Sequence, residues 1–328
     1  MASIVETCDL THRYGSNLAL DHLNLTIPEG AIFGFIGPNG AGKTTTMRIL
    51  TTLLLPTSGE ARVAGVSVTR EPRVVRRLVG FMPDFFGVYD NMKSWEYLDF
   101  FGRSYGIPAQ QRRRLIGELL DLVDLGHKRD EPVMSLSRGM KQRLSLARAM
   151  MHDPRLLILD EPASGLDPRA RIELRELLRE LRAMGKTIMI SSHILSELAE
   201  MCTHIGIIER GKLLAAGEVQ EILRTMRPHR IIEIRVVSGA ARAEELLRTH
   251  PDVLELRREG ARASTEAEAE PLDDETGPHT LLVDFAGDEH ALGDLLALLI
   301  AGGVRISHFA EQSSDLEDIF LHVTKGIV

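Results

Sequence analysis

Apolar residues along this chain fall into short unbroken runs, and the stretches between the runs carry helical spacing. The run AIFGFIG at residues 31–37 is continuous rather than alternating, the pattern of a parallel strand buried on both faces. LLILD (156–160), TIMIS (187–191) and HIGIIER (204–210) repeat it, and they alternate with helical stretches at 168–184 and 194–202. Strand and helix in alternation predict a parallel sheet covered on both faces, an α/β fold. The first thirty residues read differently, as two strands, SIVETCDLTHRY (3–14) and LNLTIPEG (23–30), the second turning Leu23, Leu25 and Ile27 inward. Between about residues 94 and 125, Leu98, Phe101, Leu115, Leu119, Leu122 and Val123 keep helical spacing with a break near Gly106-Ile107-Pro108, a helical insert.

After RTMRPHR (224–230) the texture changes. IIEIRVV (231–237), TLLVDFA (280–286) and RISHFA (305–310) are short strands separated by helix-like segments such as GDLLALLIAGG (293–303), which predicts a small α+β domain. Within it, EGARASTEAEAEPLDDETGPH (259–279) has too little apolar bulk to offset its ordering entropy and reads as a flexible acidic loop, or an acidic interaction tail. The boundaries are 1–226 for the first domain, with the helical insert at about 84–150, and 227–328 for the second, with the loop at about 258–279.

Composition narrows the function classes. The 328 residues suffice for two unequal domains, and 44% hydrophobic with 26% charged residues is the balance of a soluble globular protein. No apolar run reaches the roughly 18 to 20 residues of a spanning helix, and MASIVETCDL lacks a secretory pattern, so the chain is expected inside the cell. Two cysteines, Cys8 and Cys202, are too few for a disulfide framework and read as buried thiols. A net charge of -8 argues against a nucleic-acid partner, which needs basic patches to neutralise phosphates.

Candidate chemistry begins at GPNGAGKTT (37–45), a G-x-x-x-x-G-K-[ST] phosphate loop between a predicted buried strand and a predicted helix. Gly37, Asn39, Gly40, Ala41 and Gly42 supply a curled backbone with inward N–H groups. Lys43 reaches phosphate, the Thr44 hydroxyl suits Mg²⁺, and Thr45 sits where the helix dipole favours an anion. LLILDEP (156–162) puts Asp160 and Glu161 at the C-terminal end of a strand, where open α/β sheets bind ligands. Asp160 is suited to Mg²⁺ through water and Glu161 to general base.

On these residues the sequence resembles the ATP-binding subunits of ABC transporters, over about residues 3–226, and the further motifs of that family follow in order. SLSRGMKQRLSLARAMM (135–151) resembles the signature segment, SGLD (164–167) with Asp167 the D-loop, SSHILSE (191–197) the switch with His193, and Tyr14 the aromatic that stacks on adenine. The resemblance implies ATP and Mg²⁺ as cofactors and a P-loop NTPase fold of ABC type with antiparallel β and helical subdomains. Lys43, Glu161 and His193 would act in catalysis. Ser137 and Gly139 of one chain would close over the nucleotide of a second chain, this one or a homologous ATPase subunit, paired head to tail. Arg138 and Met140 depart from the family's Gly and Gln; Arg138 is either a tolerated surface replacement or faces the nucleotide's charge.

The resemblance also implies a separate transmembrane permease, with this subunit peripheral on the cytoplasmic face. Phe81, Phe85, Phe86, Tyr89 and Trp95 would offer that partner an apolar surface unless they pack inward. FMPDFFGVYD (81–90) occupies the Q-loop, where Asp84 stands in place of the usual Gln, a carboxylate that could bind Mg²⁺. The ending DLEDIFLHVTKG (315–326) resembles that of exporter ATPases and reads equally as an amphipathic closing helix. An importer ATPase, or a soluble ABC-type clamp in translation or DNA maintenance, are the alternatives; the clamp is disfavoured by a single ATPase module without a long coiled coil, a zinc-finger cysteine set or a basic face.

Overall fold

The computed structural model describes residues 2–84, 92–226, 230–258 and 279–311, and the chain divides into two compact units, 1–222 and 223–328. The first unit opens with β1 (Ser3–Tyr14), β2 (Asn17–Leu23), β3 (Thr26–Pro28) and β4 (Ile32–Ile36). Then come α1 (Lys43–Leu50), β5 (Ser58–Val63), β6 (Val66–Ser67), α2 (Pro72–Leu78) and β7 (Val79–Met82). Helices α3 (Ser94–Ser104), α4 (Ala109–Leu122) and α5 (Arg138–Met150) follow, and then β8 (Leu156–Leu159) and α6 (Pro168–Ala183). The order continues with β9 (Thr187–Ser192), α7 (Leu195–Met201), β10 (His204–Glu209), β11 (Lys212–Glu218) and α8 (Val219–Met226), which crosses the boundary between the units.

Six strands form the central sheet in the order β11-β10-β4-β9-β8-β7. Neighbours from β10 to β7 run parallel, and β11 pairs β10 antiparallel. Every residue of β4, β8 and β9 is buried, which explains why their runs are apolar without alternation. The connecting helices turn one stripe inward: on α6, Leu174, Leu177, Leu178 and Leu181 are buried, at spacings of three and four. Asp167 caps that helix by accepting the Ala170 N–H at 2.8 Å, with Pro168 in its first turn.

The second sheet is antiparallel, ordered β2-β1-β5-β6 with β3 also on β1. Leu23, Leu25 and Ile27 are buried as their alternation predicted. The first thirty residues nevertheless hold three strands rather than two. Positive φ at Asp9 (46°) and His22 (51°), with register shifts in the β1–β2 pairing, breaks the period-2 pattern by which β2 would be read. Phe81, expected in a surface loop, lies in β7, half-buried against the core of this unit; Trp95 is half-buried on α3. Phe85, Phe86 and Tyr89 fall outside the described residues. Cys8 is exposed, a correction to its reading as a buried thiol: on β1 it falls on the side away from the core, between Thr7 and Asp9. Burial pushes the Cys202 thiol well above its ordinary range.

The second unit comprises β12 (Arg230–Ser238), α9 (Ala240–Thr249), β13 (Val253–Arg258), β14 (His279–Phe285), α10 (Glu289–Ala301) and β15 (Arg305–Glu311). Its strands are all antiparallel in the order β13-β14-β12-β15, a split βαββαβ arrangement. Ile232, Ile234 and Val236 on β12 and Leu281, Val283 and Phe285 on β14 form the inner face, closed by Ala243 and Leu247 of α9 and Leu295 and Leu299 of α10. β13 escapes a reading from pattern because it is an edge strand whose last four residues are Glu255, Leu256, Arg257 and Arg258. Residues 259–278 of the acidic stretch and the ending at 315–326 lie outside the described residues.

Phe285 is completely buried, so Phe285→Ala is expected to destabilise the second unit by about 3–5 kcal/mol through lost transfer energy and a cavity. Urea unfolding of the full chain should show an earlier transition, with hydrogen exchange locating it in residues 230–311.

Candidate active site

The site is assembled where β4, β8 and β9 end side by side. Beyond Ile36 the chain turns through residues 37–42 into α1. Gly42 sits at φ +111°, and a β-carbon there would fall 2.7 Å from the Ala19 carbonyl oxygen, so only glycine fits. Among the described residues no side chain caps α1, so the backbone N–H groups of its first turn, Lys43 to Thr45, form a start suited to an anion. Asn39 and Gly40 are exposed on the outside of the turn, while Ala41 is buried and its carbonyl accepts the Gly211 N–H at 2.9 Å.

Lys43 is folded into this loop. Its ammonium donates to the carbonyls of Gly37 (2.5 Å) and Pro38 (3.2 Å) and stands 3.8 Å from Glu161 Oε1. Burial lowers the Lys43 pKa below its ordinary value, opposed by the charges of Glu161 and Asp160. A cation that has lost water and gained only partial compensation is primed to attract an anionic ligand.

At the end of β8, Asp160 is 3% exposed. Its Oδ2 accepts the Thr44 hydroxyl at 3.0 Å and its Oδ1 accepts the Ser191 hydroxyl at 2.6 Å. Ser191 Oγ also accepts the Glu161 N–H at 2.9 Å, so one hydroxyl from β9 ties both acidic residues. Glu161 has φ +50°, a left-handed conformation that costs a non-glycine residue about 1–3 kcal/mol and persists only where the surroundings hold it. His193, beyond the end of β9, places Nδ1 3.2 and 3.3 Å from the two carboxylate oxygens of Glu161 and is itself half-exposed. An imidazole and an ammonium thus meet at one carboxylate.

The structure brings together Lys43, Thr44, Asp160, Glu161 and His193. It adds Ser191, which reasoning from the sequence missed; the doubled serine closing an otherwise apolar β9 was the available signal. Other candidates stand apart from this cluster. Ser137 caps α5 by accepting the Met140 N–H at 3.3 Å, with Gly139 in the first turn, and neither is bonded to the phosphate-loop group. Asp167 is engaged as the cap of α6. Tyr14, at the end of β1, is 45% exposed and rests edge-on against His12, ring centres 4.5 Å apart. Asp84 is exposed just beyond β7, two residues after Met82, whose carbonyl accepts the Asp160 N–H at 2.8 Å.

Thr44 and Asp160 offer hard oxygen donors of the kind Mg²⁺ prefers. Among the described residues no group of three or more His, Cys, Asp or Glu side chains could hold a metal. A cation here would depend on oxygens of a bound phosphate, which fits a phosphate-loop site.

Residues 20–164 match the ABC transporter family model. The chain is 37% identical over 311 residues to the bacitracin transport ATP-binding protein of Bacillus licheniformis, covering 92% of this chain and 99% of the relative. The chain belongs to the ATP-binding subunits of ABC transporters. It is also 34% identical to a Nod factor export ATP-binding protein of Cupriavidus metallidurans, covering 99% of this chain and 98% of that one. A solved ATP binding subunit of an ABC transporter superimposes with a TM-score of 0.62 at 30% identity, over 68% of this chain and 92% of that chain. As an ABC ATPase the chain binds and hydrolyses ATP and works with a transmembrane partner. Among its own described residues no helix is long and apolar enough to cross a membrane.

Ser191→Ala removes the donor to Asp160 and the acceptor for the Glu161 N–H. A lost buried hydrogen-bond partner costs about 1–3 kcal/mol, so steady-state phosphate release is expected to fall roughly 5- to 150-fold if Glu161 loses its conformation. The KM for ATP should change little, since Lys43 and the loop remain.

Proposed function

We propose that this ABC ATPase energises a membrane exporter from the cytoplasmic face, as one of two ATPase subunits, this chain or a homologue, paired head to tail around ATP. The observation that carries the catalytic part is the cluster around Glu161, a carboxylate fixed by Ser191 through its own N–H and contacted by both His193 and Lys43. Export is supported by the relative that is a Nod factor export protein, and transport by the bacitracin transport protein. Both match nearly the whole chain, second unit included, and that unit is read as an accessory domain common to this kind of subunit.

In the reaction the first-turn N–H groups of α1 and the Lys43 ammonium bind the phosphates, leaving the carbonyls of Gly37 and Pro38 as Lys43 swings to the ligand. Tyr14, exposed at the end of β1, stacks on the adenine. Glu161 accepts the proton of the attacking water, and His193 orients that water and hydrogen-bonds the terminal phosphate. Mg²⁺, held by Thr44 and Asp160 with Asp84 at the edge, would neutralise charge on the phosphates. Ser137 and Gly139, in the first turn of α5, close over the nucleotide of the second subunit, and Asp167 lines the same junction.

Glu161→Gln keeps the shape and removes the base. ATP hydrolysis should fall at least about 100-fold, the lower end of the range for a general base, while ATP-bound dimers accumulate on size exclusion. Turnover at the wild-type rate would overturn the mechanism. Asp84→Gln tests the metal assignment: the variant should bind ATP with a shallower dependence on Mg²⁺ than the wild type, whereas superimposable titration curves would remove Asp84 from the site.

A further inference from the structure

The first two turns of α5 are fastened to the residues that follow Glu161. Arg138, Gly139 and Gln142 share one face of the helix, and each meets a different residue of the 164–166 segment. Gln142, 7% exposed, donates from Nε2 to the Ser164 carbonyl at 3.3 Å. A β-carbon on Gly139 would lie 3.3 Å from Leu166 Cδ2, so these backbones are already in close approach. Gly165, at φ +68°, is covered by Arg138: a β-carbon there would fall 2.7 Å from both Cζ and Nη1 and 3.2 Å from Nε. The guanidinium therefore fills the space a side chain at 165 would need. One turn further on, Arg143 pairs with Glu173 of α6, extending the attachment beyond the loop.

We infer that Arg138 is a positioning residue that locks the 164–167 segment to the signature helix of its own chain. This rests on the proposed reading of Ser137 and Gly139 as the group that closes over a second subunit's nucleotide. The Ser164 N–H bonds the Glu161 carbonyl at 3.1 Å, and Asp167 begins α6 directly after the segment. Movement of α5 toward a partner's nucleotide is thereby transmitted to the turn that carries Glu161 at the chain's own site. Glycine, the family's usual residue at this position, has no side chain to reach Gly165. A flat guanidinium has the shape to lie against a bare backbone, which an ammonium does not. Arg138 thus acts on the loop rather than on the charge of the nucleotide.

The test is steady-state phosphate release against ATP concentration by the full chain, for Arg138→Ala, Gly165→Ala and the double variant, with thermal unfolding of each. Both single changes break the same contact from opposite sides. Each is expected to lower kcat about three- to tenfold at unchanged KM for ATP, with the double variant no worse than the weaker single. Arg138→Lys, which keeps the charge but not the flat group, should reproduce the loss and serves if the alanine variant fails to fold. Three results would overturn the inference: wild-type kcat in Arg138→Ala, a rise in KM alone, which would place Arg138 on the nucleotide, or full activity in Arg138→Lys. Wild-type turnover in Glu161→Gln would instead sink the catalytic reading on which this one rests.

Discussion

The site depends on the burial of one carboxylate. Asp160 lies at the end of β8 with almost no exposed surface, and an ionised group there is tolerable only if its oxygens are bonded. Thr44 from the phosphate loop and Ser191 from β9 supply those bonds, so the three strand ends are held in register by the requirement to satisfy a single buried charge. Because Ser191 also accepts the Glu161 N–H, the same requirement holds Glu161 in a backbone conformation it would not adopt alone. The strained residue is the one whose carboxylate meets His193 and Lys43.

Lys43 shows the converse economy. Its ammonium is buried against two carbonyls of its own loop, with Glu161 at the limit of ion-pair distance, and its pKa is driven down by lost hydration. A phosphate offers that ammonium far better compensation than carbonyl dipoles do. The poor solvation of Lys43 therefore favours exchange of those carbonyls for an anionic ligand.

Around this centre the protein sorts its functions by element. The parallel sheet provides rigid strand ends for Asp160 and its supports, while the helical region carries a helix start capped by Ser137. The 164–167 segment connects the two, bonded to the Glu161 carbonyl at one end and covered by α5 at Ser164, Gly165 and Leu166. The second unit has its own core and its own sheet, and its edge strand β13 is polar, as an edge must be to avoid pairing with another chain.

Much of this was legible in the residues. Unbroken apolar runs gave four of the five parallel strands because burial on both faces leaves no polar alternation, β7 being too short to stand out, and the phosphate loop and acidic strand end declared themselves by spacing. The antiparallel sheet was less legible, since positive φ at Asp9 and His22 shifts the register and hides β2. Phe81 looked like loop surface because sequence shows an aromatic without showing which way its strand faces. Sequence alone determined which chemical groups are present, since local spacing governs helices, strands and a phosphate-binding turn. Tertiary structure alone decided that Ser191 joins two carboxylic residues, that Glu161 is held in a left-handed conformation, and that Arg138 covers Gly165. Those contacts join positions some thirty residues apart, and only the packing of strand on strand and helix on loop brings them within bonding distance.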